Sequence, residues 1–146
     1  MEEVFDPNFD FEGQEYKLEI LDTPGDEQLI LNMDSLISSS EGFLLVFAID
    51  DKESFTWLKG KHDLILKGKQ ETKCPILLVG NKQDLENYRR VITYDDAKAQ
   101  ADSWGIEYIE TSAITGLNCK EAFEKLVKKI VKANSNCCGC PCCNIM

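Results

Sequence analysis

The chain has 146 residues, enough for one domain with a real core, and its 43% hydrophobic and 29% charged content suits a soluble globular fold. A net charge of −10 argues against a general nucleic-acid binder, which needs cationic side chains to meet phosphate. No run approaches the roughly 18 apolar residues of a membrane span, and the acidic opening Met1-Glu2-Glu3 lacks the apolar core of a signal peptide.

Charge is unevenly distributed. Residues 1–27 hold ten acidic side chains against Lys17 alone. The last predicted helix carries Lys120, Lys125, Lys128, Lys129 and Lys132 against Glu121 and Glu124. Of the seven cysteines, Cys74 and Cys119 stand singly, while Cys137, Cys138, Cys140, Cys142 and Cys143 crowd the last ten residues. A disulfide framework would spread them through the fold, so this pattern predicts a reducing compartment and a specialised tail.

In chain order, residues 1–15 are acidic and aromatic, with turns predicted at Asp6-Pro7-Asn8 and Glu12-Gly13-Gln14. Tyr16 to Leu21 alternates as a strand and ends at Asp22-Thr23-Pro24-Gly25-Asp26-Glu27. From Glu27 to Ser39, Leu29, Ile30, Met33, Leu36 and Ile37 recur at helical spacing. Gly42 to Ile49 is the continuous apolar run of an interior parallel strand. A helix follows over Ser54 to Leu66, built on Phe55, Leu58 and Ile65, with His62 expected at its surface. Pro75 to Gly80 is a second buried strand. Thr93 N-caps a helix with Asp95 and Asp96 in its first turn, ending at Trp104-Gly105. Ile106 to Ile109 is the last strand. Asn118 is expected to cap the final helix, with Glu121 three residues on and a core face of Phe123, Leu126, Val127 and Ile130. Strands alternating with helices predict an α/β fold on a parallel sheet.

Three polar clusters end three of these strands: Asp22 to Glu27, Asn81 to Asp84, and Thr111 to Ala113. In one parallel sheet all three share the carboxyl edge, where ligands bind. Asn81-Lys82-Gln83-Asp84 has the residue types guanine asks for. An Asp carboxylate accepts from the ring N–H and the exocyclic amine, a pattern adenine cannot supply. A Lys stem lies flat on a base with its ammonium in water. Taken alone, four such residues serve equally as a polar turn, and the three clusters together also read as the N-caps and turns of any α/β protein.

From about Gln14 onward the chain resembles the Ras-like small GTPases. Asp22-Thr23-Pro24-Gly25 is similar to that family's phosphate-sensing motif, Asn81-Lys82-Gln83-Asp84 to its guanine-specificity motif, and Glu110-Thr111-Ser112-Ala113 to its third base loop. The resemblance implies a P-loop-NTPase-like, mostly parallel sheet flanked by helices, with GTP or GDP and Mg²⁺ as ligands. It implies that Asp22 holds Mg²⁺ through water, that Thr23 belongs to the same motif, and that the Gly25 N–H meets the γ-phosphate. Asp84 would select guanine, framed by Asn81 and Lys82. Ala113 would offer its N–H to the base oxygen, with Ser112 steadying Asp84.

Departures stand beside it. The sequence contains no Gly-x-x-x-x-Gly-Lys-[Ser/Thr], so the phosphate-cradling loop, and with it the family's first strand and first helix, are not among these residues. The family's sheet puts that strand between those at 16–21 and 42–49. Either the two close up and pair, or two unprotected edges remain, and lower stability is expected in both cases. Val4-Phe5-Asp6-Pro7-Asn8 weighs evenly between the family's first switch and a plain turn. Asp26 stands where the family commonly has a catalytic Gln that orients water, which implies slow hydrolysis.

The last four residues, Cys143-Asn144-Ile145-Met146, fit a prenylation box whose terminal Met favours farnesyl. A single lipid anchors marginally, and Cys137, Cys138, Cys140 and Cys142 offer palmitoylation sites for a second. A zinc or redox tail is the competing reading of the same cysteines. The domain plan is residues 1–133 as a GTPase-like domain and 134–146 as a lipidation tail. The leading expectation is a GTP-hydrolysing signalling switch on the cytoplasmic face of the plasma membrane or an endomembrane, meeting effector and regulator proteins. The alternative is a non-cycling GTPase-like protein that occupies partners at the membrane, with a thiol-rich metal binder as a third.

Overall fold

The computed structural model describes residues 8–23, 33–70, 73–135 and 142–145. The predictions made for Val4 to Pro7, Pro24 to Ile30, Cys137, Cys138 and Cys140 lie outside these residues. The described chain opens on a hairpin in which β1 (Asn8–Phe11) and β2 (Gln14–Ile20) pair antiparallel, Phe11 opposite Gln14. Its two-residue loop, Glu12-Gly13, has φ values of 54° and 78°, a doubly left-handed turn whose twist matches the flanking strands. The sequence predicts only the turn. Asn and Asp are weak strand formers, and pairing to β2 is what makes Asn8–Phe11 extended.

Helix α1 (Met33–Ser39) leads into β3 (Phe43–Ala48), the apolar run foreseen as an interior strand. Helix α2 (Lys52–Gly68) starts earlier than its apolar pattern, because the Asp51 carboxylate accepts from the N–H groups of Glu53 and Ser54. Strand β4 (Ile76–Asn81) is buried along nearly its whole length. Helix α3 (Tyr94–Trp104) has Thr93 as its N-cap and Gly105, at φ 69°, as its left-handed stop. Strand β5 (Glu107–Glu110), helix α4 (Cys119–Ser135) and strand β6 (Cys142–Ile145) complete the order.

Strands β3, β4 and β5 form an all-parallel sheet in that order, flanked by helices in an α/β arrangement. Along β3 and β4 the side chains alternate between two cores. Phe43, Leu45, Phe47, Ile76 and Leu78 pack with Leu58 and Ile65 of α2 and with Ala97 and Ala101 of α3. Leu77 and Val79 face the other way, onto Ala122, Leu126, Val127 and Ile130 of α4. Leu18 of β2 joins that second core, so α4 is the element that ties the hairpin to the parallel sheet.

The hairpin belongs to a second sheet, in the order β1-β2-β6, with β6 parallel to β2. Neither expectation for the strand gap is met in full. β2 does not close onto β3, and its edge is covered by a strand from the chain's own C-terminal segment. Among the described residues, β3 has β4 as its only strand partner.

One local expectation is corrected and one is refined. His62 is buried rather than on the surface, its ring stacked on Trp104 at 4.3 Å between centroids. A single histidine carries no periodicity of its own, and packing of α2 against α3 decided its place. Asn118 stands at the expected cap position, its carbonyl accepting from Ala122 N at 2.9 Å, but with φ 55° and its side-chain amide donating to Glu110 O at 2.9 Å. That bond ties it to the end of β5.

Candidate functional site

Strand β4 ends at Asn81 and β5 at Glu110, and their parallel pairing sets the two following loops side by side at the sheet's carboxyl edge. Backbone bonds stitch them together. Thr111 N donates to Gly80 O at 2.9 Å, and Gln83 N donates to Thr111 O at 3.0 Å. Side chains complete the lacing. Asn81 Oδ1 accepts from both Thr111 Oγ1 and Ala113 N, each at 3.2 Å. Ser112 Oγ donates to Asp84 Oδ1 at 2.7 Å. Thr111 and Ser112 are buried, so both hydroxyls act where water does not compete.

Lys82 is held in the left-handed region, φ 68° and ψ 34°. A non-glycine residue there is uncommon and marks a constraint. Its Nζ lies 3.2 Å from Asp50 Oδ1, just past the end of β3, so a third loop is tied in. Just before it, Gly80 has no room for a side chain. An added Cβ would sit 3.2 Å from Phe47 Cζ and closer still to the Tyr108 hydroxyl.

Beneath the loops Arg90 grips Glu110 with both prongs, Nη1 to Oε1 at 2.8 Å and Nη2 to Oε2 at 2.7 Å. Tyr108 Oη donates to the same Oε1 at 2.7 Å. The bond to Glu110 holds the Arg90 pKa above its ordinary value, and burial followed by the bond to Glu110 pushes the Tyr108 phenol up. Arg90 stands in the loop between β4 and α3. Its partner lies 20 residues away, a separation with no local signature.

Asn81, Lys82, Asp84, Ser112 and Ala113 are therefore brought together. Asp22 and Thr23 are placed differently. They follow β2 in the other sheet and line an apolar cleft of about 500 Å³ with Ile20, Val46 and Trp57. All three clusters were expected on one sheet edge. The structure joins two, because the hydrogen-bonded neighbours of β2 are β1 and β6. Ala113 N, expected to face a base, donates to Asn81 here. Gly25 and Asp26 lie outside the described residues.

Chemically, the paired loops present one fixed carboxylate. Ser112 occupies one side of Asp84, leaving the carboxylate able to accept from two adjacent N–H donors on a planar ring. Residues 1–132 match the Ras family. The chain belongs to the Ras family. This Ras-family chain is 44% identical over 120 residues to Ras-related protein ralB-A of Xenopus laevis, a match covering 82% of the chain and 58% of that relative. Ras-related protein Ral-B of Mus musculus is also 44% identical, and Ras-related protein O-RAL of Diplobatis ommata 42%, both with the same coverage. The chain thus spans a little over half the length of these curated relatives, 58%.

Proposed function

We propose that this Ras-family chain carries the guanine-selecting half of a GTP-binding signalling switch. The observation that supports it most is the Ser112–Asp84 bond at 2.7 Å beside the doubly bonded Asn81. A carboxylate locked at a sheet's carboxyl edge is complementary to the ring N–H and amine of guanine, and adenine meets it with no such pair. Asn81 keeps the two loops in register, and the Lys82 stem gives the base a flat apolar face.

The phosphate side rests on Asp22, Thr23 and Gly25. The resemblance gives Asp22 a water-mediated contact to Mg²⁺, which would neutralise phosphate charge, but the apolar cleft that Asp22 lines does not by itself make a metal site. Asp22 stands as a single carboxylate, and among the described residues no group of three His, Cys, Asp or Glu side chains could hold a metal. Asp26 in place of an amide-bearing residue adds like charge near a γ-phosphate, so hydrolysis of GTP to GDP is slow in this reading.

Attachment to the cytoplasmic face of a membrane rests on the box Cys143 to Met146. The Cys143 thiolate attacks C1 of an allylic isoprenyl diphosphate, forming a C–S bond as the C–O bond breaks. Diphosphate leaves with the electron pair, and the thiol proton passes to a base. Cys137, Cys138, Cys140 and Cys142 supply further acylation sites. Among the described residues no helix is long and apolar enough to cross a membrane. Effector and regulator proteins are the partners this reading requires.

Titration of the 146-residue chain with fluorescent GDP and GTP in the presence of Mg²⁺ tests the proposal. Saturable binding competed by guanine and not by adenine nucleotides is expected. No binding at high micromolar concentration would leave a second reading, a non-cycling protein that occupies partners. What favours that reading is β6, because a segment of this same chain lies on β2 where the family's phosphate-loop strand would pair.

A further inference from the structure

The four residues of β6 are unusual in what they combine. Cys142 to Ile145 pair parallel with β2 in a continuous register, Lys17 opposite Cys142, Leu18 opposite Cys143, Glu19 opposite Asn144 and Ile20 opposite Ile145. Three of those four belong to the box Cys143-Asn144-Ile145-Met146. The strand also lies beside α4, the helix that anchors the hairpin to the main sheet. Only six residues separate Ser135, the end of α4, from Cys142. At ~3.5 Å per residue they cannot carry the tail beyond about 20 Å from the helix end. A tether of that length keeps the strand near β2 at an effective concentration on the order of millimolar.

We propose that the C-terminal segment is a two-state device: docked on β2 as β6, or undocked and open to lipid attachment at Cys143. This rests on the lipid reading given above. The exclusion is a matter of backbone groups. A transferase that modifies Cys143 must bind the last residues of the chain in its own site. The N–H and C=O groups that pair with β2 are those same residues' groups, and they cannot serve both. A four-residue strand gains few ladder bonds, so docking is reversible rather than permanent. Once Cys143 carries an isoprenyl chain, burial of that chain in a bilayer holds the segment away from β2. The edge of β2 is then open, and the sheet reports whether the tail is on the membrane.

The test uses the whole chain, a soluble prenyltransferase, a fifteen-carbon isoprenyl diphosphate, and a peptide of residues 134–146 as the unfolded acceptor. With about one molecule in ten undocked, the chain takes up lipid about tenfold more slowly than the peptide. With the prenylated chain bound to phospholipid vesicles, hydrogen exchange at residues 17–20 is expected to be about tenfold faster than in the unmodified chain. A chain that takes no lipid while the peptide does is the limiting case of the same result. In Lys17→Cys, a disulfide to Cys142, its register partner, pins the strand on β2, and uptake should stop until reductant is added. Equal exchange at β2 in both forms, or uptake indifferent to that link, overturns the two-state device and leaves the lipid reading intact. A peptide that accepts no lipid overturns the lipid reading and the device with it.

Discussion

Ser112, with no measurable solvent exposure, donates its hydroxyl to Asp84 at 2.7 Å across 28 residues of sequence. The bond is charge-assisted, and hydrogen bonds to charged groups contribute about 1.5–3 kcal/mol. Ser112→Ala should therefore weaken guanine-nucleotide binding by about tenfold, since every 1.4 kcal/mol is about a factor of ten. The unliganded chain loses the same bond, together with the one Ser112 Oγ accepts from Thr115 N, so the thermal midpoint should also fall by several degrees. Fluorescent GDP titration beside a melting curve measures both, and a variant with unchanged affinity would remove Ser112 from the site.

Arg90 and Glu110 form a pair whose side chains are only 13% and 12% exposed. Removing one partner of such a pair leaves a buried charge and costs about 3–5 kcal/mol. Arg90→Met should lower unfolding free energy by about that much in urea. The double variant Arg90→Met with Glu110→Gln should recover a large part of the loss. Additive losses in the double variant would show that the two residues are not coupled.

His62 is buried against Trp104, and burial lowers its pKa below the ordinary 6.5. The unfolded chain thus takes up a proton at a higher pH than the folded one. Stability from keeping His62 neutral is complete above about pH 6.5 and falls as pH drops through the lower folded value. Bonds from Lys129 and Lys125 hold Glu107 below its ordinary 4.5, so it acts in the same direction at lower pH. Melting between pH 7.5 and 5.5 should show a decline that His62→Phe flattens. An unchanged slope in that variant would assign the decline elsewhere.

Leu126 is fully buried in the core that holds Leu18 of β2 and Leu77 and Val79 of β4. Leu126→Ala should cost about 2–5 kcal/mol, the range for large-to-small changes in a core. Because α4 joins the hairpin to the parallel sheet, amide exchange in residues 14–20 should rise more than in β4. Uniform exchange over both would mean that the two sheets unfold as one.

Much of the parallel sheet was legible in the sequence. Apolar runs at 42–49 and 75–80, the Thr93 cap and the Gly105 stop are local features, and local chemistry decides them. The polar loops at 81–84 and 111–113 were legible for the same reason, since a polar cluster ends each strand where the chain leaves the sheet. β1 was not, nor was the buried place of His62. Both depend on a partner brought up by the rest of the fold.

The sequence by itself set the residue types of two polar loops, Asn81, Lys82 and Asp84 in one and Ser112 and Ala113 in the other, and the family resemblance is what implied a guanine site for them. Only the tertiary structure decided how they are held. The Arg90–Glu110 grip and the Ser112–Asp84 bond join residues 20 and 28 positions apart. It also decided that Asp22 follows a strand of the second sheet, and that β2 takes its neighbour from residues 142–145. Strand pairing is set by which open edge lies within reach, and reach is a property of the folded chain rather than of its residues in order.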